Sequence, residues 1–190
     1  MRARYVLVAI LWTLVGASPS LAFELESEIV YNAETNSYFQ LIKSPMTEKM
    51  VWAEAKELAE SRVYNGNRGR LAVVTSRLVN DFLRDTFGFA IDGATWIGLR
   101  YWCEYRKLQW VTGEIHSRTA YSNWHPRWNR NPSIECGRNR ISYMPVFYTE
   151  TSGTSYGSFL WQAIGPAKGF NAYFVEYPAG PESANSNAMD

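Results

Sequence analysis

The chain has 190 residues, 19 Lys+Arg against 18 Asp+Glu, and two cysteines. That length builds one domain around one core, and a formal net charge of +1 leaves no electrostatic footprint for nucleic acid. Two cysteines exclude a disulfide-dense miniature scaffold, so packing has to supply most of the stability.

Met1-Arg2-Ala3-Arg4-Tyr5 is a short basic start, Val6 to Gly16 is an apolar run too short to span a bilayer, and Ser20-Leu21-Ala22 offers small residues for cleavage. Residues 1–22 read as a secretory signal peptide, against the alternative of an uncleaved anchor, with the mature chain starting near Phe23. Its removal takes away Arg2 and Arg4 and leaves 17 basic against 18 acidic residues, a net charge of −1. The protein is expected to be secreted or periplasmic, with no stable membrane insertion after cleavage.

Ile29-Val30-Tyr31 and Tyr38-Phe39-Gln40-Leu41-Ile42 flank a polar turn, which predicts a β-hairpin. Thr47 is placed to cap a first helix running to about Arg62, with Trp52, Ala55, Leu58 and Ala59 at helical spacing. Asn65-Gly66-Asn67-Arg68-Gly69-Arg70 is a turn; it lacks the Gly-Lys-Ser/Thr element of a phosphate cradle, and a strand rather than a helix follows it. Leu71 to Val74 reads as that strand. Ser76 caps a second helix whose inner face is Leu78, Val79, Phe82 and Leu83, with Gly88 near its end.

Trp96-Ile97-Gly98-Leu99 and Leu108-Gln109-Trp110-Val111 are aromatic-rich paired strands separated by a charged turn, and Gly98 marks a place where a ring or another backbone comes close. Four of the eight Trp, at 96, 102, 110 and 124, fall between here and Tyr121-Ser122-Asn123-Trp124. Arg140 to Met144 and Phe159-Leu160-Trp161 read as strands, and residues 149–158 as a polar loop. Ala172 to Tyr177 is the last strand, close to the core. Residues 179–190 carry no periodicity and read as a disordered tail. Residues 23–178 then form an α+β domain of two helices on a mostly antiparallel sheet.

This order of words resembles the C-type lectin-like domain, from about Tyr31 to Tyr177. The resemblance rests on Trp52-Ala53-Glu54-Ala55, Gly69 to Ser76, Trp96-Ile97-Gly98-Leu99, Leu108 to Gly113, Tyr121-Ser122-Asn123-Trp124, Glu135-Cys136 and Phe174-Val175-Glu176-Tyr177. It implies the C-type lectin fold, a long irregular loop region and a ligand face on that loop. Sugar-binding members hold Ca²⁺ with a Glu-Pro-Asn or Gln-Pro-Asp triplet, a further Glu, and an Asn-Asp pair after a strand Trp, because a hard cation requires oxygen ligands rich in carboxylate. Here Gln162-Ala163 follows Trp161, the nearest triplet is Asn131-Pro132-Ser133, and Glu135 is the one acid nearby. The resemblance therefore disfavours calcium, and no cofactor is expected. The family's disulfides also depart: Ala59 and Val175 stand where a Cys pair is usual. Cys103 and Cys136 remain, as a bridge or as two buried thiols.

The loop offers other chemistry. Arg forks grip carboxylate, sulfate or phosphate in bidentate fashion, and Trp faces cover the apolar faces of sugar rings. Arg127, Trp128, Asn129, Arg130 and Asn131, with Glu135 and Gln162, are the candidate ligand-binding residues. The expected ligand is a glycan or other anionic surface ligand taken without calcium. The alternative for this loop is a solvated segment whose arginines pair with acids elsewhere, and the alternative function is a structural or protein-interaction module using the same face.

Catalytic readings are weaker. Gly153-Thr154-Ser155-Tyr156-Gly157 matches a nucleophile elbow formally, but both histidines precede Ser155 and no helix pattern follows. Glu104, Glu114, Glu135 and Glu150 show no spacing that selects a glycosidase pair. His116 and His125 lack zinc-site spacing. The protein is expected not to be an enzyme.

Overall fold

The computed structural model describes residues 24–45, 47–88, 93–126, 132–149 and 159–179. The signal peptide, the 127–131 loop, the Gly153–Gly157 match and the tail beyond 179 lie outside the described residues.

The first strands are β1 (Leu25–Glu26), β2 (Val30–Asn32) and β3 (Ser37–Lys43), with β2 and β3 closing the N-terminal hairpin. Next come β4 (Met50–Val51) and helix α1 (Trp52–Ser61). Thr47 does not cap this helix. Met50–Val51 is drawn into an antiparallel ribbon with β13 (Gly169–Phe170), so the chain stays extended until Val51. The helix start is secured instead by the Glu54 carboxylate, which accepts from Val51 N at 2.9 Å. Long-range strand pairing has overridden a local capping residue.

β5 (Val63–Tyr64) and β6 (Asn67–Arg68) form a small hairpin whose central residues, Asn65 and Gly66, have φ of 47° and 76°. After β7 (Arg70–Leu71) comes α2 (Arg77–Phe87), capped by Ser76 Oγ accepting from Val79 N at 3.2 Å. Its buried stripe is Val79, Leu83 and Phe87, four residues apart. Leu78, expected inside, is 67% exposed. Asn80 takes an inward place, accepting from the buried Tyr148 hydroxyl at 2.9 Å.

β8 (Thr95–Trp102), β9 (Lys107–Trp110) and β10 (Ile115–His116) form a meander. Helix α3 (Pro132–Asn139) follows, where two helices alone were expected and Arg140–Met144 read as strand. Pro132 suits the first helical position, and Arg140 (φ 49°) holds the left-handed conformation after the helix end. That position usually goes to Gly, so the stop carries no sequence signal. The strand after it is β11 (Tyr143–Thr149), paired with β8 and with β12 (Leu160–Ala163).

The last strand, β14 (Ala172–Pro178), lies in the middle of the sheet. It runs antiparallel to β3 and β7 and parallel to β8. Both its faces are covered. Phe174 joins Phe39, Leu83, Phe87, Ile97 and Trp161 on the α2 side. Tyr173 and Val175 join Trp52, Ala55, Ala59 and Trp96 on the α1 side. Ala59 and Val175, where the resemblance implies a Cys pair, are fully buried around Gly69; a Cβ there would lie 2.5 Å from Ala59 O and 2.9 Å from Val175 Cγ1. Close packing occupies the place of that cross-link. Glu176, also buried, accepts from Arg70 (2.8 Å), Ser37 Oγ (3.0 Å) and Val73 N (3.0 Å), locking β14 to β3 and to the segment entering α2.

Candidate functional site

Trp161 on β12 organises the region of residues 110–125. Its indole is fully buried and meets four rings edge-on: Trp110 at 6.0 Å, His116 at 5.8 Å, Tyr121 at 5.8 Å and Trp124 at 5.7 Å. Edge-to-face contacts of this kind add stability beyond buried area and fix ring directions. The backbone completes the grip. Trp161 N donates to Asn123 O at 2.7 Å, His125 N donates to Trp161 O at 3.0 Å, and Asn123 Nδ2 donates to Phe159 O at 2.7 Å. Tyr121-Ser122-Asn123-Trp124 is thus fixed against β12 just before the 127–131 loop. Trp124 belongs to the scaffold.

His116 sits under this segment, its Nε2 2.9 Å from Ser122 Oγ. Burial pushes its pKa below the ordinary histidine value, opposed by the nearby Glu114 carboxylate. Among the described residues no three His, Cys, Asp or Glu side chains converge to hold a metal.

A disulfide joins Cys103, just past the end of β8, to Cys136 on α3, at a sequence separation of 33. It ties α3, and Glu135 with it, to the β8–β9 turn. Glu135 is partly buried, 4.0 Å from the Arg138 guanidinium. Gln162 is partly buried on β12, beside Trp161 and opposite Phe147. Arg127, Trp128, Asn129, Arg130 and Asn131 lie outside the described residues. Where the family's cation would sit, Glu135 offers one carboxylate, Gln162 one amide oxygen, and Ala163 no side-chain oxygen. Among the described residues, that donor set alone is too poor in carboxylate for a hard divalent cation.

Of the carboxylates weighed for catalysis, Glu104 and Glu114 are exposed, Glu135 rides on α3, and Glu150 is outside the described residues. Beside the Trp161 base lies a groove of about 810 Å³, bordered by Tyr105, Arg106 and Lys107 of the β8–β9 turn and by Arg118 after β10. The turn's sequence reads only as a charged connection. Its one signal is Tyr105, an aromatic at a loop tip, and it is 61% exposed.

The family model described as the lectin C-type domain matches residues 48–143. A curated relative, halomucin of Haloquadratum walsbyi (strain DSM 16790 / HBSQ001), is 30% identical over 116 residues, 57% of this chain; the match spans about 1% of that protein's length. Among solved structures, the C-type lectin CEL-I from Cucumaria echinata superposes with a TM-score of 0.54 at 17% identity, over 77% of this chain and 93% of that one. The cow CD23 carbohydrate-recognition domain, determined in the presence of a GlcNAc2Man3 oligosaccharide, gives 0.56 at 19% identity, over 80% and 94%. The lectin SPL-2 from Saxidomus purpuratus, described as Ca²⁺-independent, gives 0.53 at 16% identity, over 76% and 88%.

Proposed function

This chain belongs to the lectin C-type domain family, and from that premise we propose that it is an exported, non-catalytic binding module that takes a carbohydrate on its long-loop face without calcium. The observation that carries the proposal is the mounting of Asn123 to His125 on Trp161 with Gln162-Ala163 following. The Trp161-anchored loop base supports a binding face, and the missing Asp after Trp161 supports a mode without calcium. SPL-2 is described as a Ca²⁺-independent member of this fold, so that mode has a structural precedent. The Cys103–Cys136 bridge supports export, since such bonds persist in oxidising compartments. Arg127, Trp128, Asn129, Arg130 and Asn131, with Glu135 and Gln162, form the proposed contact set.

The test is a glycan-binding screen of the purified chain, with and without EDTA. Binding that survives EDTA and is lost in Trp128→Ala or Arg130→Ala is the expected result. Loss of binding in EDTA refutes calcium independence. Absence of binding to every glycan refutes the carbohydrate reading and leaves a protein partner for this face.

A further inference from the structure

We propose that the groove between the β8–β9 turn and the loop base is a separate subsite for the acidic residues of a glycan chain, carboxylated or sulfated. The inference rests on the carbohydrate reading above and extends it to a surface outside the long-loop contact set.

The floor of the groove follows from strand register. Tyr101 pairs with Leu108, and Leu108 pairs with His116, so these three side chains lie in one row across β8, β9 and β10. Side chains at paired positions share a face of the sheet. Trp124 borders the same groove. The floor is therefore aromatic and aliphatic, and it is rigid, because His116 and Trp124 are both held edge-on against Trp161. The apolar face of a pyranose ring suits such a surface.

The rims are cationic. Arg106 and Lys107 stand at one end and Arg118 at the other, all exposed. Arg106 has a φ of 52°, so the turn holds it in the left-handed conformation, uncommon for a residue that is not Gly or Asn. Other arginines are consumed by the fold: Arg62 by Glu24 and Glu26, Arg70 by Glu176, Arg84 by Asp81 and Asp85. Arg100 lies 4.0 Å over the Trp102 ring. Arg106, Lys107 and Arg118 form no ion pair with a carboxylate among the described residues, and no acid among those residues lines the groove. Glu104 and Glu114 sit on the flanking turns, outside it. An apolar floor between cationic rims matches a ligand with apolar ring faces and anionic substituents. An acidic peptide matches the rims but has no use for the floor. A volume of about 810 Å³ is ample for a short oligosaccharide.

The test titrates the purified chain with a sulfated oligosaccharide, a uronate oligosaccharide, a neutral oligosaccharide and polyglutamate. Wild type should bind one or both acidic glycans, more weakly as ionic strength rises from about 0.05 M to about 0.5 M. The triple variant Arg106→Gln, Lys107→Gln, Arg118→Gln removes three exposed charges without touching the core. It should lose about tenfold or more in acidic-glycan affinity at unchanged melting temperature. Equal affinity of the triple variant and wild type overturns the subsite, and so does polyglutamate binding as tightly as the glycans. If neutral glycans bind and acidic ones do not, the subsite alone is refuted. If no glycan binds, the carbohydrate reading falls with it.

Discussion

Replacing Gly98 with alanine tests how tightly β8 is set into the sheet. A Cβ at this position would lie 2.7 Å from Leu71 O, 2.9 Å from Val111 Cγ2 and 3.0 Å from Ala72 O. Two of these neighbours are backbone carbonyls, which cannot swing aside as a side-chain tip can. Gly98 is not in the left-handed region, so alanine meets no conformational penalty and the cost is purely steric. The strand must retreat, and retreat stretches two hydrogen bonds, Gly98 N to Ala72 O and Val111 N to Gly98 O, both 2.8 Å. Overpacking costs about 1–3 kcal/mol, and each weakened backbone bond adds up to about 1 kcal/mol. The sum, about 2–4 kcal/mol, is a large share of the stability of a single domain. Urea unfolding followed by tryptophan fluorescence should show a midpoint lowered by about 1–2 M, taking a slope of about 2 kcal/mol/M. Gly137→Ala is the control: it is exposed on α3 with nothing within 4 Å of the added Cβ, and it should raise stability by about 0.5–1 kcal/mol. A Gly98→Ala protein within about 0.5 kcal/mol of wild type refutes the reasoning.

Three further outcomes are expected. Glu176→Gln leaves Arg70 without its carboxylate and weakens the bonds from Val73 N and Ser37 Oγ; because Arg70 is 30% exposed, the loss should be about 2–3 kcal/mol, below that of a fully buried pair, read from chemical denaturation. Cys136→Ser opens a covalent loop closed across a sequence separation of 33 and should cost about 3–4 kcal/mol, with wild type in reductant falling to the same melting temperature and the variant indifferent to reductant. Burial lowers the His116 pKa in the folded state, so the unfolded chain binds its proton first. This contribution to stability is full above the unfolded value of about 6.5 and declines as pH falls through that value toward the folded one. Melting temperature measured from pH 8 down to pH 5 should drop less steeply in His116→Phe than in wild type.

The scaffold was readable because its words are short-range and redundant. The N-terminal hairpin, Ser76 as a cap, the close approach at Gly98 and the closing strand through Phe174 each announce themselves within a few residues. What escaped was decided at long range. Thr47 looked like a cap because its competitor, the pairing of Met50–Val51 with Gly169–Phe170, joins segments far apart in sequence. Helix α3 was hidden by Gly137 inside it and by Arg140 in a position usually given to Gly. Leu78, expected inside, is turned outward while Asn80 faces inward as the acceptor for the buried Tyr148 hydroxyl. In the ligand region, Trp124 showed its scaffold role through its motif. The Tyr101–Leu108–His116 row depends on the register of three strands and has no signature in any one of them.

The position of β14 bears on how the chain folds. The last of the described strands fills the slot between β3, near the start of the domain, and β8, at its middle. Until Ala172 to Pro178 is available, β3 lacks the seven-residue partner that covers its length, and Glu176 cannot close its lock on Arg70. No N-terminal portion can finish its sheet and wait for the rest. Completing the sheet therefore depends on contacts distant in sequence, the kind that slow folding. A chain cut short before Ala172 would leave β3 and β8 without the strand that joins them.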